Sequence, residues 1–266
     1  MMRFLRLRHW PLWTVLLLVG LAVVLPFVLP WSHDQIDWDA VRAPAFTGSH
    51  VFGTDDIGRD RLARLMAGTQ ITVMVAVAAA LVSLVIGIAW GATAGWLGGR
   101  VDEAMMRFVD ALYALPFMFI VILLMVIFGR SILLVFVGIG LVEWLTMARV
   151  VRGQVMALRE RPFILAAEAA GAPPFAIILR HVLPNIAGVA LAYLMLTIPQ
   201  VVMVESFLSF LGLGVQEPLT SLGILVKEGA DDMDMAPLGL FLPGGMLVVI
   251  LVCLTIEGER LRDIYL

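Results

Sequence analysis

The chain has 266 residues, 61% of them hydrophobic and 15% charged, with a formal net charge of -3. Charge-free stretches at 9–33, 65–99, 111–129, 181–204 and 235–256 are each near or above the roughly 20 residues an α-helix needs to cross a bilayer. A soluble one- or two-domain enzyme is excluded, and with Cys253 as the sole cysteine so is a disulfide framework within one chain.

The first apolar run, Pro11 to Trp31, follows Arg3, Arg6 and Arg8. It is longer than the roughly 7–15 residues of a signal-peptide core, and no Ala-x-Ala pattern follows, so a retained anchor is expected. Residues 1–31 therefore read as an N-terminal cytoplasmic arm and a first transmembrane helix. Residues 32–68 read as an extracytoplasmic segment. Its start, SHDQIDWDAVRAPAFTGSH, is loop-like, whereas GTDDIGRDRLARLMAG patterns as a short interfacial helix with Asp60, Arg61 and Arg64 on the polar side. Residues 69–266 then form a five-helix core.

In the second span, Gly87, Gly91 and Gly95 recur every four residues, a spacing that stacks them on one helix face and allows close backbone approach. The partner of that face is open at this point and includes a second subunit. The third span, 111–129, contains Pro116, which predicts a kink. The stretch 131–148 carries only Glu143 and completes six candidate spans.

The segment 149–187 is too polar for the membrane core yet is patterned. Pro162 opens a short helix to about Ala170, with Gly171 as its stop. Pro173 and Pro174 open a second, from Phe175 to about His181, which Pro184 is expected to break before the fifth span. Residues 205–236 read as a short outer or partly re-entrant segment, and the sixth span ends in the charged tail EGERLRDIYL.

With six spans and a cytoplasmic N-terminus, the inner segments hold Arg3, Arg6, Arg8, Arg100, Arg107, Arg149, Arg152, Arg159, Arg161, Arg180, Arg260 and Arg262. The outer ones hold Arg42, Arg59, Arg61, Arg64, Arg130 and Lys227. This excess of inner basic residues favours cytoplasmic N- and C-termini. The fold class is thus an all-α polytopic membrane protein of about six transmembrane helices.

Lys227 is the only lysine, so no phosphate-binding G-x4-G-K-[ST] loop exists. His9, His33, His50 and His181 are scattered, with no pair at metal-ligand spacing. No catalytic, cofactor-binding or metal site is expected on the chain. A secondary transporter or channel working as a homo-oligomer is the alternative class. Glu143 and Glu205 are its candidate ionisable groups, both placeable near an interface rather than at mid-depth.

AAEAAGAPPFAIILRHVLPN, residues 166–185, resembles the cytoplasmic EAA loop of permease subunits from ABC importers. Anchoring the pattern on Gly171 brings Ala166, Ala167, Leu183 and Pro184 into register, with His181 at the isoleucine position. Leu165 stands where the family has glutamate, and Glu168 lies one helical turn on. GTDDIGRDRLARLMAG is similar to the outer-loop signature of dipeptide/oligopeptide-type permeases, through Gly53, Thr54, Asp55, Gly58, Arg59, Asp60, Arg64 and Gly68; Ala63 replaces its serine. VRGQVMALRERPF and ESFLSFLGLGVQEP resemble two further segments of the same subunits.

The resemblance implies a translocation subunit coupled to ATPases through the EAA loop, between spans four and five. Coupling would involve Ala166, Ala167, Glu168, Gly171, Leu183 and Pro184, with Arg161, Arg180 and His181 around them. The implied partners are a homologous permease subunit, two ABC ATPases carrying ATP and Mg, and an extracytoplasmic solute-binding protein; nucleic acid is not among them. Asp55, Arg59, Asp60, Glu205, Ser206 and Gln216 are candidates for the pathway or for contact with the binding protein. The implied location is a bacterial cytoplasmic (inner) membrane, with several passes through its lipid.

Overall fold

A computed structural model describes residues 9–129 and 132–265. The N-terminal Arg3, Arg6 and Arg8, and Arg130, lie outside the described residues. Among those described, all long elements are helices, with only isolated bridges in the outer segment. Helix α1, Trp10–Val24, accepts Pro11 in its first turn, where a missing N–H costs nothing, and runs into a short 3-10 turn, Leu25–Phe27.

Helix α2 spans Arg61–Leu97, 37 residues, and Asp60 caps it: its carboxylate accepts from the Ala63 N–H at 2.8 Å. The short interfacial helix expected in 53–68 is therefore corrected. Residues 53–60 are turns, and the helical part is the first stretch of α2 itself, because a strong cap at Asp60 leads into an unbroken helix-forming run.

Helix α2 ends at Gly98, φ +64, and the chain reverses into α3, Gly99–Tyr113. Helix α4, Phe117–Phe128, follows. Pro116 is not a kink within a span, as expected, but the N-cap of α4 in extended backbone, so the third apolar stretch is divided between two helices. The missing donor of proline is harmless there, outside any helical ladder.

Helix α5, Ile132–Arg159, packs along α2 through the glycine face. A Cβ on Gly87 would stand 2.5 Å from Met147 Cβ, and one on Gly95 would stand 2.8 Å from the Arg152 carbonyl oxygen. On Gly91 it would strike the Ala148 carbonyl. The partner of this face is thus α5 of the same chain, and contact at backbone distance requires glycine.

Helix α6, Pro162–Ala169, and α7, Pro174–Ile177, form the knob expected at 149–187. Pro184 does not break the chain there. A π turn, Ile178–Val182, carries α7 into α8, Leu183–Phe210, and Pro184 falls in the first turn of α8. Helix α9, Leu222–Asp231, occupies the expected outer segment and packs against α2, α8 and α10, Leu238–Tyr265.

Among the described residues, four helical stretches are long and apolar enough to cross a membrane: Trp10–Phe27, Arg61–Leu97, Pro174–Phe210 and Leu238–Tyr265. Helix α5, at 28 residues, is also longer than a bilayer core requires, whereas the 12 residues of α4 extend only about 18 Å. The buried core divides by height. Val75, Ala76, Ala79, Val201 and Val202 belong to one cluster, and Trp96, Val155, Ile164, Ile177 and Val182 to another at the knob end.

Candidate functional site

The knob is held from beneath by apolar anchors. Ile164 of α6, Ile177 of α7 and Val182 of the π turn are buried with Ala92 and Trp96 of α2 and Val151 and Val155 of α5. Helix α6 closes by a Schellman motif: the Ala172 N–H donates to the Ala167 carbonyl at 3.1 Å, and the Gly171 N–H to the Glu168 carbonyl at 2.9 Å. Gly171 sits at φ +80 with open space where a Cβ would be, so conformation rather than room demands glycine here.

The outer surface of the knob carries Phe163, Leu165, Ala166, Glu168 and Phe175, all exposed; Phe175 is 73% exposed. Ala167 faces inward against the anchors. Arg161 and Arg180 are exposed at the edges, and neither makes a side-chain ion pair among the described residues. His181 is half-buried, and its carbonyl accepts from Asn185 Nδ2 at 2.6 Å. Leu183 and Pro184 start α8, so they set the direction in which the knob joins the bundle rather than standing on its exposed face.

At the opposite end, two sequence motifs far apart in the chain meet. Asp55 Oδ2 accepts from Arg59 Nε and Arg64 Nη1, each at 2.7 Å. Arg64 also donates to both carboxylate oxygens of Glu228 on α9, at 2.6 and 3.0 Å. Arg59 reaches Glu217 at 2.7 Å. Burial pushes the Asp55 carboxyl up, but hydrogen bonds from the Arg59 backbone and side chain, with the Arg64 and Arg59 charges, outweigh it and hold it below its ordinary value.

Asp60 has a second bond besides its cap, to His50 Nδ1 at 2.8 Å; His50 Nε2 lies 3.3 Å from Asp37, and Trp31 stacks on the imidazole. Asp55, Arg59 and Asp60 are therefore engaged in fastening residues 32–60 onto α2 and α9. A cavity of about 330 Å3 opens beside them, lined by Arg42, Arg61, Asp231 and Asp232 among others.

Glu205 and Ser206 do not join that cluster. Glu205 is buried in the bundle, accepting from Ser209 Oγ at 2.7 Å and Thr72 Oγ1 at 3.1 Å, while Thr72 Oγ1 in turn accepts from the Leu222 N–H at 3.0 Å. The carboxylate ties α8 to α2 and α9. Ser206 is buried beside it, and Gln216 lies apart on the exposed turn, its amide bonded to the Gly214 carbonyl at 3.2 Å.

Sequence reasoning missed a third polar group. Arg149 Nη2 donates to Asp110 Oδ1 at 2.7 Å, and its guanidinium lies over the Tyr113 ring at 4.3 Å. Tyr113 Oη is 3.0 Å from Thr146 Oγ1. Next to them Arg152 chelates Asp102, with Nη2 to Oδ2 at 2.6 Å. Acids on α3 and arginines on α5 were visible, but the paired acids lie eight residues apart and their arginines three, so only the antiparallel packing of the two helices reveals the pairs.

The description "Binding-protein-dependent transport system inner membrane component" fits a family model over residues 83–258. The oligopeptide transport system permease protein OppC of Escherichia coli K12 is 48% identical over 251 residues, covering 94% of this chain and 83% of that protein. The dipeptide transport system permease protein DppC of Bacillus subtilis is 37% identical over 253 residues, covering 95% of this chain and 79% of the relative. In fold, the chain is similar to a chain of the inward-facing MetNI methionine ABC transporter. There the TM-score is 0.60 and the identity 19%, covering 77% of this chain and 97% of that one.

Proposed function

The chain belongs to the family of binding-protein-dependent transport system inner membrane components and is a permease subunit of an ABC importer, and from that premise we propose that it carries peptides and is driven through its knob. A homologous permease subunit completes the translocation pathway. Two ATPase subunits bind ATP and Mg and supply the energy; this chain contributes no ATPase site and holds no cofactor. An extracytoplasmic solute-binding protein delivers the peptide, and the assembly sits in a bacterial inner membrane with both termini of this chain cytoplasmic. The peptide assignment rests on the names of the relatives, an oligopeptide and a dipeptide permease.

One observation supports the coupling role most. The knob is packed on buried apolar anchors and is apolar on its outer face, with Phe163, Leu165 and Phe175 exposed and, at its edge, two arginines that make no ion pair among the described residues. An apolar patch with a polar rim on a soluble face marks a protein contact. Alanine at 166 lets a partner surface come close, and the Gly171 turn fixes the angle between α6 and α7. Closure of two ATPases would displace the knob as a rigid body and carry the bundle with it.

The test is co-purification of the tagged chain from its native host in mild detergent. A second permease and ATPase subunits are expected, and Ala166→Arg should lose the ATPases while retaining the second permease. Recovery of a homo-oligomer alone would overturn the importer reading in favour of a self-contained carrier or channel.

A further inference from the structure

Helices α3 and α5 present facing polar stripes. On α5 these are Thr146 and Arg149, and on α3 they are Asp110 and Tyr113, each pair spaced by three residues. Spacing of three keeps side chains on one side of a helix. Asp110, Tyr113, Thr146 and Arg149 are all exposed, although Arg149 pairs with Asp110 and Tyr113 bonds to Thr146.

The depth of this group follows from the glycine contacts. Gly87 of α2 packs on Met147, and Gly91 on Ala148 and Val151. Thr146 and Arg149 are therefore level with a charge-free part of α2, roughly two to three turns, about 10–15 Å, inside the end that bears the knob. The surface of α2 facing away from the bundle is apolar at the same heights: Val85 and Ala89 are exposed there. Lipid suits that face and does not suit an exposed ion pair, since charged side chains at membrane depth face a bundle interior or a water-filled cavity.

We infer that Asp110, Tyr113, Thr146 and Arg149 line the water-filled pathway and contact the peptide in transit, an inference that rests on the importer reading above. The chemistry fits a zwitterionic cargo. Arg149 offers spare N–H donors to a peptide carboxylate, and the second oxygen of Asp110 accepts from an ammonium group. Because the two charges already neutralise one another, neither sign of cargo is trapped, and a site that must release its ligand benefits from such weak, exchangeable contacts.

The single native cysteine makes this testable. In a Cys253→Ala background, Thr146→Cys, Gly153→Cys and Val85→Cys are each purified as the assembled complex and exposed to a charged, membrane-impermeant methanethiosulfonate reagent. Gly153 lies further along the α5 stripe, with open space at its Cβ position, so this variant tolerates the new side chain if Thr146→Cys misfolds. Labelling is measured without nucleotide and after trapping with ATP and vanadate. The expected result is labelling at 146 and 153 whose rate changes severalfold between the two states, with Val85→Cys inert in both. Inert cysteines at 146 and 153 would place the stripe against lipid or protein and overturn the inference, as would equal labelling in both states, which marks an ordinary aqueous surface. An assembled complex with inert cysteines removes only this inference, whereas a preparation lacking ATPase subunits removes the importer reading and this inference together.

Discussion

The two ends of the molecule are held by different forces. At the outer end, buried charges do the fastening: Arg64 is 4% exposed and engages both Asp55 and Glu228, while Asp60 joins a helix cap to His50. At the knob, apolar anchors such as Ile164 and Ile177 grip from below, and the nearby Arg161 and Arg180 make no ion pairs among the described residues. Charges satisfied internally fix a surface in one arrangement. Charges left free, beside exposed phenylalanines, leave a surface able to accept another protein. On this contrast, Asp55, Arg59 and Asp60 serve in this chain as a brace, while the knob is left with the surface that its proposed contact role requires.

That contrast can be broken most severely at Arg64. Arg64→Met removes one of the two guanidinium partners of Asp55, which keeps Arg59, and the bidentate partner of Glu228; breaking a buried pair outright costs about 3–5 kcal/mol, which sets the upper bound here. A large fall in detergent melting temperature and rapid proteolysis of residues 32–60 are expected, and an unchanged digest would show that the brace is dispensable. Gly91→Leu tests the packing between the two ends. Its side chain has to displace the Ala148 carbonyl and Val151, and overpacking of this kind costs about 1–3 kcal/mol, read as lowered thermal stability.

Gly171→Val should be smaller in energy and more selective in effect. The left-handed backbone costs a non-glycine residue about 1–2 kcal/mol, local to the knob. ATPase co-purification should fall while the digestion pattern of the outer segment stays as in the parent chain. The mildest probe is acid. Asp55 has its folded pKa held below its ordinary value near 3.8, so its stabilisation is complete above that value and is lost as pH falls through the lower, folded one. Proteolysis of the outer segment should therefore be flat from neutrality to about pH 5 and should accelerate only in stronger acid.

Much of this architecture was readable in advance. Four of the five charge-free runs coincide with helices long and apolar enough to span, 111–129 being the exception, and the four-residue glycine spacing marked a packing face, because both depend on local pattern. The stop at Gly171 was also legible, since a helix C-terminus needs a residue that tolerates φ of +80. What sequence could not supply was partnership across distance. Arg59 and Glu217 are separated by 158 positions, and Arg64 and Glu228 by 164, so nothing local ties them. Asp55, Arg59 and Asp60, read from sequence as candidates for the pathway or for binding-protein contact, are engaged in the brace. Pro116 misled for a related reason: proline bends a helix only if the helix continues through it, and the flanking helices here end on either side.

The π turn at Ile178–Val182 has a mechanical side. Because it carries the chain without interruption from Pro174 to Phe210, the exposed Phe175 stands at one tip of a single 37-residue rod, about 55 Å long. Near the far tip, Glu205 is bolted through Thr72 to α2 and α9. A rod pinned at one end and pushed at the other pivots, so a small sideways displacement at the knob becomes a graded tilt along its length, with least travel where the outer brace is anchored.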